Sequence, residues 1–154
     1  MRLIKASLTL VIGLSLLAVA PPTFAQDDVI KDRKRLMKSN DRNEKSIRKA
    51  VKEMDYAAIQ SGAKKILANA GKIEALFPEG SMSAKSRATK AIWANQDGFK
   101  DNIGWLKNSV NALAAAAAAK DNDLVKLEAK AVNAACNQCH RSFRKSSRRA
   151  KKKK

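Results

Sequence analysis

From Ile92 to Ala117 the apolar residues recur at intervals of 7, 4, 3, 4, 3 and 4. That is the rhythm of a helix holding one stripe against neighbouring helices, and it leaves no room for a strand pattern. Two more stretches repeat it. Ile30, Met37, Ile47, Val51 and Met54 share a seam, with Arg33, Asn40 and Glu44 as polar interruptions, which predicts a helix over about 28–52. Asp27 and Asp28 suit its N-terminus, where carboxylates favour the macrodipole. Ile59, Ala63, Ile66, Ala70, Ile73 and Phe77 predict a second helix from Asp55, an N-cap, to Phe77, stopped by Pro78 and Gly80. Residues 78–86 read as a loop and 86–120 as one long third helix. Within it Ala114 to Ala119 give strong helix propensity, or leave room for a close neighbour. Asp121-Asn122-Asp123 marks a turn and cap, and a fourth helix follows with Leu124, Leu127, Ala131 and Ala134 inward. Four helices joined by short connections predict an all-α, antiparallel four-helix bundle.

The chemistry is concentrated near the end of that fourth helix. Cys136-Asn137-Gln138-Cys139-His140 holds both cysteines and the single histidine of the chain. The order C-x-x-C-H reads as a c-type haem attachment site. Two thiols three residues apart can each form a thioether to a haem vinyl, and the next imidazole then turns under the iron as proximal ligand. A thioredoxin-like dithiol reads the same pair of cysteines but wants a βαβ context. A zinc site usually needs four N/S ligands, and no further Cys or His exists to complete it. A disulfide across so short a span would be strained. The expected cofactor is one covalently bound haem c with its iron, lying near the C-terminal helix. His140 is the candidate metal ligand that the pentapeptide itself supplies.

Residues 1–25 read as a secretory signal peptide. Arg2 and Lys5 open it, Leu8 to Ala20 is an apolar run too short to span a bilayer, and Thr23-Phe24-Ala25 closes it before Gln26. The domain is expected over 26–145 and a basic tail over 146–154. Export to the periplasm agrees with haem attachment, which in prokaryotes takes place outside the inner membrane. No second hydrophobic segment appears, so stable membrane insertion is not expected. Losing Arg2 and Lys5 takes the formal charge from +18 to +16. So large a positive charge favours acidic redox partner proteins and contact with anionic surfaces. Arg141 to Lys154 carries nine cations and no acid, and its last residues have nothing to bury. Export argues against nucleic acid as its target. No nucleophile, general base or substrate pocket is legible, so the chain is not expected to be an enzyme. A peroxidase in particular would lack a distal His.

These motifs resemble the cytochrome c′ family, the class II c-type cytochromes, over essentially residues 27–145. The family pattern C-x-x-C-H-x-x-(Phe/Tyr)-(Arg/Lys) is met by Cys136, Cys139, His140, Phe143 and Arg144. Its first-helix pattern, Arg followed four residues later by an apolar distal residue, is met by Arg33 and Met37. Leu76-Phe77-Pro78 and Ile92-Trp93 also look like their family counterparts. The resemblance implies a four-helix bundle with a haem between the last helix and the others. Low-spin members of the cytochrome c-556 type ligate the iron with Met on the first helix, and residues 35–42 look closer to that type. High-spin members leave the sixth position empty, and some bind nitric oxide or carbon monoxide. Met37 is therefore either a distal ligand or a core methionine. Met54 lies too far along the same seam and Met82 in a loop, so neither is favoured.

Arg33 places a charge on an apolar seam, and either a haem propionate or solvent would satisfy it. Arg144, one turn after His140, puts a cation near the proximal face, or is one charge among many. Phe143 reads as packing beside the haem, and Trp93 and Trp105 as core or interface packing. Family members often pair through their first two helices. The resemblance thus implies a homodimer, which the basic run Lys31, Arg33, Lys34, Arg35 and Lys38 would oppose.

Overall fold

The computed structural model describes residues 23–146, with side chains from residue 27. The expected leader therefore lies outside the described residues except for 23–25, and the tail except for Ser146. Four long helices form an antiparallel bundle: α1 (Thr23–Glu53), α2 (Tyr56–Ala70), α4 (Gln96–Ala118) and α5 (Asn122–Phe143), with a one-turn α3 (Ala91–Ala94) before α4. α4 packs broadly on α2 and α5, and α2 on α1. The α1–α5 seam is the sparse one, and the bundle is open along it. None of the described helices is long and apolar enough to cross a membrane.

The heptad seams become the core. Ile47, Ile59, Ile66, Val110, Leu113, Val125 and Val132 are essentially removed from water. Each such side chain contributes about 1.5–3 kcal/mol of burial. α1 and α2 approach so closely at Gly62 that a Cβ there would sit 2.6 Å from Ile47 Cγ1, which is why a glycine interrupts the α2 seam.

The caps follow the sequence. Met54, in the left-handed region at φ 52°, ends α1, and the Asp55 carboxylate accepts from the Ala58 N–H at 2.9 Å to start α2. The α4–α5 turn repeats the device, with Lys120 at φ 55° and Asp121 Oδ1 accepting from the N–H groups of Asp123 and Leu124.

Three expectations need correction. The second helix stops at Ala70 rather than Phe77, and a 3-10 turn over Glu74–Leu76 carries the chain onward. Ile73 stays buried nonetheless, so the seam outlasts the helix. The third helix does not begin at 86. Asn95, at φ −138°, caps α4 by accepting from the Gly98 N–H at 3.0 Å, and the residues before it are claimed by α5. Thr89 N–H donates to Phe143 O at 3.0 Å and Lys145 N–H to Arg87 O at 2.8 Å, around an isolated antiparallel bridge between Ala88 and Arg144. Finally, Leu124 and Leu127 are 45% and 58% exposed and Ala134 also faces outward, while Ala131 is intermediate. The inward stripe of α5 is Val125, Val132, Ala135 and Phe143, with Cys136 and Cys139 packed against the core. At about 100° per residue, Leu127 turns well away from a stripe that starts at Val125 and contains Cys139, while Leu124 stands at the stripe's edge in the first turn of α5.

Candidate cofactor site on the last helix

Cys136, Cys139 and His140 lie half-buried on α5 where the bundle is open. Two adjoining cavities meet there. The larger, about 440 Å³, lies between α1, α4 and α5, and among its walls are Asn102, Ile103, Leu106 and Cys136. The smaller, about 240 Å³, reaches toward Phe77, Ile92, Phe99 and Phe143. Met37, Ile73, Cys139, His140 and Arg144 border both. So a thiol, the imidazole and the α1 thioether all face one cleft of the size that holds cofactors.

Electrostatics in the cleft favours neutral ligands. Both thiols are free. Burial, and then the charge of Glu44, push the Cys136 thiol up to about 11. Burial and the neighbouring Cys136 do the same to Cys139, also to about 11. At neutral pH both groups are therefore neutral thiols. Burial lowers the pKa of His140, aided by the cations Arg144 and Arg87. The imidazole is thereby held neutral with a lone pair to give, the form that ligates metal.

Around these groups the polar atoms are mostly accounted for. Glu44 pairs with Arg48 at 3.0 Å and accepts from Asn133 Nδ2 at 3.4 Å, and Asn137 donates to Asn133. This chain spans the thin α1–α5 seam. Asn102 donates to Gly98 O at 2.7 Å, which fixes its amide and leaves Oδ1 buried without a partner.

Arg33 departs from both expectations. It is 5% exposed, and all five of its N–H donors go to protein acceptors. Nε and Nη2 donate to Leu76 O at 2.9 and 2.7 Å, Nη2 also to Ser81 Oγ at 2.7 Å, and Nη1 to Ser81 O and Ser86 Oγ. Its Cζ stands 3.9 Å from the Phe77 ring centroid. The cation is satisfied by the 76–86 loop, which turns its carbonyls and hydroxyls inward, and it makes no ion pair among the described residues.

The other expected residues sort clearly. Phe143 is buried, edge-on to Phe99 at 5.3 Å, and Phe99 is edge-on to Phe77 at 5.1 Å. Arg144 is exposed at the cavity rim. Trp93 donates to Phe77 O and Pro78 O and stays out of both cavity walls, while Trp105 is 42% exposed. Sequence reasoning missed Ile73, Asn102 and Arg87 as lining residues. Ile73 lay on the α2 seam, so its place near α1 was readable. Arg87 reaches the rim only through the clasp with Lys145, whose carbonyl accepts from its Nη2 at 2.6 Å, and no local pattern announces such a pairing. Among the described residues no group of three or more His, Cys, Asp or Glu is placed to hold a metal ion.

The sequence profile of the Cytochrome C' family matches residues 28–144. The chain belongs to the cytochrome c′ family. It is a c-type cytochrome with one covalently bound haem c. It is 28% identical over 144 residues to a cytochrome c-556 of Rhodopseudomonas palustris (strain ATCC BAA-98 / CGA009), covering 88% of this chain and 95% of that one. A cytochrome c' of the same organism is 32% identical over 124 residues, covering 78% and 84%. The crystal structure of cytochrome c' from Thermochromatium tepidum matches with a TM-score of 0.72 and 26% identity, over 79% of this chain and 97% of that one. The residues present fit the haem: two thiols three residues apart, a neutral imidazole beside them, and an aliphatic wall of Ile73, Ile103 and Leu106.

Proposed function

We propose that this cytochrome is an exported, periplasmic carrier of single electrons. Cys136 and Cys139 tether the haem, His140 is the proximal ligand and Met37 the distal one. The observation that carries the reading is Met37 and His140, from different helices, bordering the same two cavities. The similarity to a cytochrome c-556 supports it. The haem supplies the Fe(III)/Fe(II) couple, and a thioether sulfur would favour the reduced state. The chain does the rest. Burial keeps His140 unprotonated, the two sulfurs prevent loss of the group during transient docking, and the aliphatic wall of Ile73, Ile103 and Leu106 excludes water. Charge attracts acidic redox proteins.

The second reading is a five-coordinate haem that binds or buffers nitric oxide or carbon monoxide, with Met37 only shielding the iron. The larger cavity and the 32% identity to a cytochrome c' favour it. Absorption spectra of the oxidised and reduced protein, then carbon monoxide added to the ferrous form, separate the two. Met37 ligation predicts a low-spin spectrum resistant to carbon monoxide, and Met37→Ala converts it to a high-spin form that binds the gas. A high-spin wild type that binds carbon monoxide at once selects the second reading.

A further inference from the structure

Apart from the buried Arg33, the cations of α1 fall into two groups. Lys31, Arg35, Lys45 and Arg48 are each neutralised by an acid three or four residues away: Asp28, Asp32, Asp41 and Glu44. Lys34, Lys38, Arg42, Lys49 and Lys52 are exposed and make no ion pair among the described residues, and of these Lys34 and Lys38 border the cavities, Lys34 the smaller and Lys38 the larger. Arg87, delivered by the loop, and Arg144, from the end of α5, complete the rim. Three separate elements therefore bring unneutralised positive charge to one opening.

The wall of the smaller cavity contains Arg33, Lys34, Arg87 and Arg144 and no carboxylate. In the larger cavity Asp41 and Glu44 are held by Lys45 and Arg48. Arg33 is consumed by the loop, so Lys34, Lys38, Arg87 and Arg144 carry the outward charge. The two propionates of a haem c neutralise at most two of these four, so the rim stays positive.

We infer that the rim formed by Lys34, Lys38, Arg87 and Arg144 is the face through which electrons are exchanged, and that it takes the acidic surface of a redox partner protein. The inference rests on the haem lying in this cleft and goes beyond the proposed function in assigning the docking face. Local charge at the point of transfer sets the encounter rate more than charge elsewhere, because at about 0.1 M salt the field decays over about 10 Å.

The test compares two double variants of equal charge change in the haem-loaded protein: Lys34→Glu with Lys38→Glu at the rim, and Lys49→Glu with Lys52→Glu further along α1. Each ferrous protein is oxidised by ferricyanide, which takes one electron and becomes ferrocyanide. Separate samples of ferrous protein are oxidised by the cation tris(phenanthroline)cobalt(III), which becomes cobalt(II), and by an acidic plastocyanin whose Cu(II) becomes Cu(I). At about 0.1 M salt the rim pair is expected to slow ferricyanide and plastocyanin by roughly fivefold or more and to speed the cobalt reagent. The distal pair changes each rate less than about twofold, and about 1 M salt removes the difference. Equal effects of the two pairs, or a rim pair that slows all three oxidants, would overturn the assignment. A wild type that emerges without covalent haem would instead sink the proposed function beneath it.

Discussion

The two ends of the bundle are built on the same heptad seams and differ in what fills them. At the end where α1 turns into α2 and α4 into α5, Ile59, Leu113, Ala117 and Val125 are wholly buried. Tyr56 Oη donates to Asn122 Oδ1 at 2.6 Å across the end, tying α2 to α5. At the other end the seam positions hold Arg33, Met37, Cys136 and Cys139, and two cavities separate the helices. Periodicity alone therefore sets the helices, and the side chains on the seam decide whether they close on one another or on a cofactor. The closed end carries the stability that lets the open end stay open.

That contrast can be broken most sharply by removing the tethers. Cys136→Ser with Cys139→Ser is expected to abolish covalent haem completely while leaving helical circular dichroism in place. Collapse of the helices would mean that the closed end does not hold the fold alone. In haem-free wild-type protein the thiols report the same burial. With pKa values near 11 against 9.0 for an ordinary thiol, alkylation at pH 8 should run about a hundredfold slower folded than in urea. The unfolded chain ionises first, so the haem-free protein loses stability as pH rises from 9 toward 11. Equal alkylation rates in both states would remove the buried-thiol account.

Side-chain truncation then compares the ends directly. Leu113→Ala should cost about 3 kcal/mol, because the closed end cannot collapse into the space left. Ile73→Ala in haem-free protein should cost about half that, since its methyls already face a cavity. Denaturant unfolding measures both, and equal losses would erase the distinction. Between them falls Arg33→Leu, expected to cost about 2 kcal/mol by stranding Leu76 O and the Ser81 and Ser86 hydroxyls. Limited proteolysis should then cut within residues 76–86 first. Resistance there would show that the guanidinium does not anchor the loop.

The closed end was the more legible in sequence. Asp55 and Asp121 announce their caps, and the seams of α2 and α4 predict their buried residues almost one for one. Asn95 looked like an ordinary helical residue because its capping role depends on a break that tertiary contacts impose. The clasp of residues 87–89 on the end of α5 is a long-range pairing with no local signal, and it is what shortens the third helix. Leu124 and Leu127 misled because hydrophobicity was read as inwardness. The phase of α5 is set by Val125, Val132 and the cysteines. At the site, the pentapeptide stood out by its spacing, and Met37, singled out by the family resemblance, borders both cavities. Arg33 was recognised as a buried charge, but its acceptors belong to a loop folded back against α1. The cavity rim is assembled from three elements and exists only once they meet.

The central claim is that one haem is tethered through the two cysteines of the pentapeptide. Tandem mass spectrometry of the peptide spanning Cys136 to His140, from protein made in a host competent for cytochrome maturation, tests it directly. The account predicts the mass of one haem on that peptide, with thioether linkages at both Cys136 and Cys139. Recovery of the peptide with two unmodified thiols from the same preparation would contradict it.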